Sequence, residues 1–208
     1  MSDAPPNVRI WTDPSCPWAW QALKWLRDLR DRGIIRLTYS LFSLEVNTSG
    51  IDLPFDKAAP SYGHALASLA LARNEGTDPA VEALLLAFGE LLHERREQMS
   101  IELLRQAASN AGQPDLPDRA LRTPSLNDEI IAEYLDARAL DVFGVPTLKI
   151  DEDKVVYGPI IAVGATGDEG LELWEEVRRL SARPTFFELK RWPRDLRPGG
   201  HPIGPPTE

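Results

Sequence analysis

The first forty residues carry a strand, a helix and a second strand joined by short linkers. Residues 8–12 are short and β-rich, and they lead into a turn at Asp13 and Pro14. Pro17 suits the first position of a helix, whose apolar residues recur at helical spacing until Gly33. Apolar and polar residues then alternate, as they do in a strand. A helix between two strands favours parallel pairing, which places the turn at the carboxyl end of the first strand.

Cys16 is the only cysteine, and it lies where the first helix begins. Free N–H groups and the positive end of the helix dipole stabilise a thiolate at such a position. The pKa of a cysteine placed there can fall below the ordinary value of about 8.5. We therefore expect Cys16 to be a reactive nucleophile, with a small buried apolar residue as the alternative. Asp13 is expected to cap the helix start, with a buried acid that modulates the thiol as the alternative.

Beyond the second strand, apolar residues recur at the spacing of a helix and no longer at that of a strand. One helix begins at Asp78 and carries a long apolar stripe. A second spans residues 100–110, and a third starts at Ser125, where Asp128 completes a capping-box-like pattern. The chain then returns to strands in a hairpin, and Asp168 is expected to cap the last helix.

The complete order is strand, helix, strand, helical insertion, strand, strand and helix. This order resembles a thioredoxin core, an α/β fold, with an inserted helical subdomain. The predicted divisions are the first half of the core at 1–44, the insertion at 45–124, the second half at 125–191, and a Pro- and Gly-rich tail at 192–208.

Composition and charge narrow the classes of partner. A net charge of −9 opposes binding to nucleic acid or to an anionic membrane surface. No apolar run is long enough for a membrane-spanning helix, and the N-terminal region lacks the pattern of a secretory signal. We therefore expect a cytoplasmic protein whose partner is a small molecule or another protein. The single cysteine and three scattered histidines predict no metal site.

The segment around the cysteine resembles the active site of DsbA-like oxidoreductases, in which Cys-Pro-x-Cys opens the first helix. Ala19 stands in place of the second cysteine. A second thiol would resolve a mixed disulfide by attacking the first sulfur, so its loss leaves a one-thiol cycle. In that cycle Cys16 forms a mixed disulfide and an external thiol releases it. The alternative is that Cys16 only positions or deprotonates a bound thiol.

A second match lies at residues 144–147, Gly-Val-Pro-Thr. Thioredoxin-fold proteins carry a cis-proline loop facing the cysteine at this place in the chain, and the residue before the proline offers backbone hydrogen bonds to substrate. Trp18 is a candidate apolar wall for a flat substrate. The substrate-binding residues expected from both motifs are Pro17, Trp18, Ala19, Val145 and Pro146.

His93 follows the apolar stripe of the helix that begins at Asp78. In a DsbA-like fold the insertion covers the thiol site, so His93 is a candidate catalytic partner for Cys16, as proton donor or thiolate partner. A surface histidine at a helix end is the alternative.

A closer resemblance covers nearly the whole chain. It rests, in chain order, on Asp13-Pro14, Cys16-Pro17-Trp18, Leu92-His93, Gly144-Val145-Pro146-Thr147, Gly158-Pro159 and Phe186-Phe187-Glu188-Leu189-Lys190-Arg191. These pieces look like the mycothiol-dependent nitroreductase family within the DsbA-like group. The resemblance implies a low-molecular-weight thiol, mycothiol or similar, as cosubstrate, with no tightly bound cofactor. It leaves a homodimer open.

The expected function is therefore that of a one-cysteine, thiol-dependent oxidoreductase acting on a small electrophile or a disulfide. Two alternatives stay open. Glutathione transferase kappa and chromene-carboxylate isomerase relatives share the broad fold but place serine where Cys16 stands. The third possibility is a thioredoxin-fold binding protein without catalytic activity.

Overall fold

A computed structural model describes residues 4–50, 61–76, 78–152, 154–191 and 196–200. Its first unit consists of β1 (Asn7–Thr12), α1 (Pro17–Asp31) and β2 (Arg36–Leu41). The parallel pairing of β1 with β2 confirms the expectation from sequence. Gly33 follows α1 with a φ of +73°, a conformation that glycine adopts without steric cost. Residues 51–60 of the predicted insertion, and most of the predicted tail, lie outside the described residues.

Helices fill the middle of the chain. They are α2 (Leu44–Ser49), α3 (Tyr62–Glu75), α4 (Asp78–Gly89), α5 (Ile101–Asn110), α6 (Leu116–Leu121) and α7 (Ser125–Ala139). A π-helical turn, Glu90–Glu94, continues α4. The Ser100 side chain accepts a hydrogen bond from Leu103 N–H and so caps α5 at its predicted start. Among the helices described, none is long and apolar enough to cross a membrane.

The chain then completes the sheet with β3 (Thr147–Ile150) and β4 (Lys154–Tyr157), and ends its regular structure in α8 (Gly167–Ser181). The strand order is β2-β1-β3-β4. The pairs β1–β3 and β3–β4 are antiparallel. This is the predicted α/β fold of DsbA-like type.

Two of the predicted helix caps are wrong. Pro124, not Ser125, precedes α7, and its backbone is already helical, so no side chain caps that end. Helix α8 begins at Gly167 after an extended Thr166, which places Asp168 inside the first turn. The Asp168 side chain is exposed and forms an ion pair with Arg32 at 3.3 Å. The chain enters α7 one residue earlier, and α8 two residues earlier, than the cap pattern indicated.

Helix α1 packs against two hydrophobic cores. On the sheet side, Trp25 packs against Trp174 of α8, with ring centroids 6.1 Å apart, and its indole N–H donates to the Gly170 carbonyl at 2.9 Å. On the other side, Trp20 and Leu23 join a core built mainly from the inserted helices. Helix α1 therefore determines how the insertion lies over the sheet.

A polar contact fixes the same arrangement. The Glu82 carboxylate on α4 accepts hydrogen bonds from Arg27 and Arg30 of α1 and from the Tyr39 hydroxyl of β2. Burial alone would raise the pKa of Glu82, but these hydrogen bonds outweigh it and lower the pKa to about 2. Glu82 therefore stays ionised and holds the insertion against the core.

Gly89, at the end of α4, allows a close approach to Trp20. A Cβ atom on Gly89 would lie 2.6 Å from Cδ2 of the Trp20 ring, so the two elements pack at a distance that excludes a side chain here.

We predict that Gly89→Ala destabilises the protein by about 1–3 kcal/mol through overpacking. Helix propensity alone would give the opposite sign, a stabilisation of about 1 kcal/mol. Urea unfolding would measure the free energy of unfolding for Gly89→Ala, Trp20→Phe and the double variant. Because a phenyl ring is smaller than an indole, the Trp20→Phe background should reduce the cost of the added methyl. A stabilising Gly89→Ala change would contradict this packing.

Candidate active site

The Cys16 thiol lies between the start of α1 and a loop far along the chain. Cys16 is the N-cap residue of α1, and its Sγ accepts a hydrogen bond from the Ala19 N–H at 3.4 Å. The thiol also donates to the Val145 carbonyl oxygen, with an Sγ to O distance of 3.6 Å. The cysteine therefore takes the place that a serine or aspartate side chain occupies in an ordinary cap.

Strand pairing brings Val145 to the cysteine. Trp11 in β1 lies opposite Thr147 in β3, so the residues that follow β1 and those that precede β3 meet at one edge of the sheet. The Val145–Pro146 peptide bond is cis. Cys16, Val145 and Trp11 belong to one hydrophobic cluster, against which Trp18 packs.

Burial opposes the expected activation of the thiol. Cys16 is only 7% exposed, and this burial raises the pKa of the thiol. Hydrogen bonds from the Ala19 and Trp18 backbone lower the pKa, and the negative charge of Asp13 raises it. The net direction is upward. The expectation of a lowered pKa was therefore wrong, because it counted the helix terminus and not the loss of water around the sulfur.

Asp13 is a buried acid and not the cap of α1. Its Oδ1 accepts a hydrogen bond from the Ser15 N–H at 2.7 Å, and its Oδ2 accepts one from the Leu44 N–H at 2.8 Å. Burial raises the pKa of this carboxyl, and the two backbone donors partly offset that effect. Asp13 thus joins the loop before Cys16 to the start of α2. The predicted cap role fails because Cys16 itself occupies the cap position.

His93 lies in the π-helical turn and contacts the same loop. Its Nε2 lies 2.8 Å from the Pro14 carbonyl oxygen. A carbonyl only accepts, so Nε2 carries the proton in this contact. Burial lowers the pKa of His93, which favours the neutral ring. In the part of the chain that the structure describes, the groups that hydrogen-bond to the Cys16 sulfur are the Ala19 and Trp18 backbone and the Val145 carbonyl, so His93 contacts the backbone before the thiol and not the sulfur.

The π-helical turn is tied to α1 by a contact that the sequence did not reveal. The Trp20 indole N–H and the Lys24 ammonium both donate to Glu94 Oε1, at 2.7 and 2.6 Å. The hydrogen bond from Lys24 lowers the pKa of Glu94, so its carboxylate stays charged. A regular α-helical spacing would not have indicated these contacts, since the π-helical turn shifts the positions that follow it.

The predicted substrate contacts differ in their access to solvent. Pro17 and Trp18 are partly exposed and form a rim beside the thiol. The Ala19 side chain is fully buried, and Val145 and Pro146 are buried as well, so Ala19 can offer a ligand only its backbone.

A cleft of about 420 Å³ opens beside the loop that carries Cys16. Sequence analysis did not predict it, because its walls come from four separate segments. The lining includes Ser15, Leu44, Glu45, Thr48, Tyr62 and Met99. Ser15 directly precedes Cys16, so this cleft is the candidate binding site for a small molecule that reaches the thiol.

This fold and thiol define the class of DsbA-like thioredoxin-fold proteins. The structure is similar to the crystal structure of probable DsbA oxidoreductase SCO1869 from Streptomyces coelicolor, with a TM-score of 0.57, 18% identity, and coverage of 92% of this chain and 97% of that one. It is also similar to 2-hydroxychromene-2-carboxylate isomerase, with a TM-score of 0.60, 15% identity, and coverage of 84% and 95%.

Within that class, residues 15–191 match the model of the Rv2466c-like family, described as mycothiol-dependent nitroreductase Rv2466c. The chain belongs to this family, as the sequence motifs indicated. It is also 29% identical over 186 residues to the uncharacterized protein Rv2286c of Mycobacterium tuberculosis, covering 86% of this chain and 79% of that protein.

The burial of Cys16 yields a direct prediction. Because the folded protein raises the pKa of the thiol, its alkylation by iodoacetamide should titrate at higher pH than the same thiol in the urea-unfolded chain. Cys16 is the only cysteine, so each rate belongs to one sulfur. The alkylation rate measured between about pH 6 and about pH 10 spans the ordinary thiol pKa. A folded-state midpoint below the unfolded one would contradict this account.

Proposed function

We propose that this protein is a one-cysteine, thiol-dependent oxidoreductase in which Cys16 forms a mixed disulfide with a low-molecular-weight thiol. The observation that carries the proposal is the position of the Cys16 sulfur, which contacts the Ala19 N–H and the Val145 carbonyl oxygen. The residue before it, Ser15, lines the cleft. Ala19 replaces the thiol that would resolve such an intermediate internally.

The chemistry balances with an external thiol. Cys16 loses its proton, and the thiolate attacks one sulfur of a disulfide. A new S–S bond forms, the old one breaks, and the other half leaves as a thiolate that takes up a proton. One molecule of the external thiol then attacks the substrate sulfur of the mixed disulfide, which releases Cys16 and leaves that half of the substrate joined to the external thiol. A second round of the same exchange, with a second molecule of the external thiol, frees that half. Over the two rounds the substrate disulfide is reduced to two thiols and two molecules of the external thiol are oxidised to their disulfide.

The described residues assist these steps through backbone groups. In the resting state the Cys16 thiol donates a hydrogen bond to the Val145 carbonyl oxygen, and this favours the neutral sulfur. Once the proton leaves, the Ala19 and Trp18 N–H groups stabilise the thiolate. Val145 then has free backbone groups for the extended part of the bound thiol. Pro17 and Trp18 form the partly exposed rim that the substrate crosses.

His93 acts in this proposal as a positioning residue. Its hydrogen bond to the Pro14 carbonyl fixes the loop that presents Cys16, and the contacts of Glu94 with Trp20 and Lys24 fix the turn that carries the histidine. A direct role in proton transfer would require a movement of the ring toward the sulfur.

Family membership favours mycothiol or a similar thiol as the cosubstrate. The thiol binds and is released in each cycle, and no tightly bound cofactor is proposed. The second substrate is a small electrophile or a disulfide, and the proposed location is the cytoplasm, where such thiols are kept reduced.

We predict that mycothiol disulfide or glutathione disulfide converts the protein to a single covalent adduct. Intact mass spectrometry should show the mass of one half-disulfide added to the wild-type chain. Cys16→Ser provides the matched control and should show no adduct. Added free thiol should reverse the modification. A wild-type protein that accepts neither thiol would favour a binding protein without redox activity, and conjugation activity that survives in Cys16→Ser would favour the transferase-like alternative.

A second cysteine should restore an internal cycle. Ala19→Cys places a thiol at the position whose backbone N–H already contacts the Cys16 sulfur, so mild oxidation should form an intramolecular disulfide, with the loss of two hydrogens by mass. Ala22→Cys is the matched control, because Ala22 is equally buried in α1 but lies one turn further from Cys16. Equal behaviour of the two variants would contradict the proposed geometry.

A further inference from the structure

We propose that Glu45 makes the cleft beside Cys16 selective for charge, so that the site accepts neutral and cationic disulfides and discriminates against anionic ones. The inference rests on the proposed function, since it concerns the molecules that Cys16 attacks. In this proposal the Glu45 side chain determines which disulfides react fastest with Cys16.

Glu45 is the charged residue among the described walls of the cleft. It lies in the first turn of α2, between Leu44 and Val46. The other described residues that line the cleft are uncharged: Ser15, Leu44, Thr48, Ser61, Tyr62 and Met99. A molecule that enters the cleft therefore meets one carboxylate and no ammonium or guanidinium group on these walls.

Among the residues that the structure describes, Glu45 has no ion-pair partner. Its Oε2 atom is shielded from solvent, and no hydrogen-bond donor among the described residues reaches it. In the part of the chain that the structure describes, no lysine or arginine forms an ion pair with it. Glu45 as a whole is partly buried, and a partly buried carboxylate acts on nearby charges more strongly than a fully exposed one. An ammonium group that enters the cleft would therefore be attracted to it.

Asp13 is a second acid next to the residues that line the cleft. Its carboxyl group binds the backbone N–H groups of Ser15 and Leu44, which are both lining residues. The negative charge of Glu45 contributes to raising the pKa of Asp13, as expected for two acids in one neighbourhood. The negative field therefore lies next to the loop that carries Cys16, and a disulfide that approaches the sulfur through this cleft enters it.

The test compares three small disulfides of similar size: cystamine, which is cationic, 2-hydroxyethyl disulfide, which is neutral, and 3,3′-dithiodipropionate, which is anionic. In each reaction the Cys16 thiolate attacks one sulfur, the S–S bond breaks, and the leaving half takes up a proton. Intact mass gives the rate of adduct formation. Each rate is divided by the rate of the same disulfide with the urea-unfolded chain, which corrects for the intrinsic reactivity of that disulfide.

We expect the wild-type protein to prefer cystamine over the anionic probe by about tenfold, from one unpaired charge at close range. Glu45→Gln should bring the three normalised rates together, and Glu45→Lys should reverse their order. Glu176→Gln is the matched control, because it removes an exposed carboxylate on α8 and should keep the wild-type order. Rising ionic strength should shrink the wild-type preference.

The outcomes separate the two proposals. An unchanged order in both Glu45 variants, or the same loss in Glu176→Gln, would overturn charge selection by Glu45 while leaving Cys16 as a nucleophile. A folded protein that reacts with none of the probes, although its unfolded chain does, would overturn the proposed function and this inference with it. Two Glu45 variants, which change the charge at this position by one and by two units, protect the result against a failure of either to fold.

Discussion

The bridge from the Cys16 thiol to the Val145 carbonyl is the contact on which the rest of the site depends. The two residues are 129 positions apart in the chain, and they meet because β1 and β3 pair in the centre of the sheet. The same sulfur completes the cap of α1. One side chain thus links the first helix to the second half of the core, and it does so with the group that performs the proposed chemistry.

This arrangement sets two electrostatic effects against each other. The N–H groups at the start of α1 favour the thiolate, and burial favours the thiol. Burial is the larger effect for Cys16, so the resting sulfur keeps its proton on the Val145 side. The proposed reactivity therefore develops when a ligand enters the cleft and changes the surroundings of the sulfur. The partly exposed Pro17 and Trp18 lie where such a ligand passes.

The sequence predicted the structural features that are determined by residues close together in the chain. Pro17 at a helix start and the alternation that follows Gly33 were enough to predict α1 and the parallel strands, and the motifs around Cys16 and Pro146 indicated the family. Apart from the Val145–Pro146 loop, which the family resemblance placed opposite Cys16, it did not predict contacts between distant segments. The pKa of Cys16 depends on packing from several elements, the His93 contact depends on a π-helical turn, and the cleft exists only once α2 lies beside the motif loop. The Asp13 and Asp168 caps failed because a small shift along the chain decides which side chain meets the free N–H groups.

The central claim is that the resting Cys16 sulfur is a neutral thiol hydrogen-bonded to a backbone carbonyl. The infrared S–H stretching band tests it most directly, since this chain has one cysteine and the band therefore reports one group. The account predicts a single band at lower frequency than in the unfolded chain, still present at a pH where the unfolded thiol has ionised. A band at the free-thiol frequency, or its loss at lower pH than in the unfolded chain, would contradict the account.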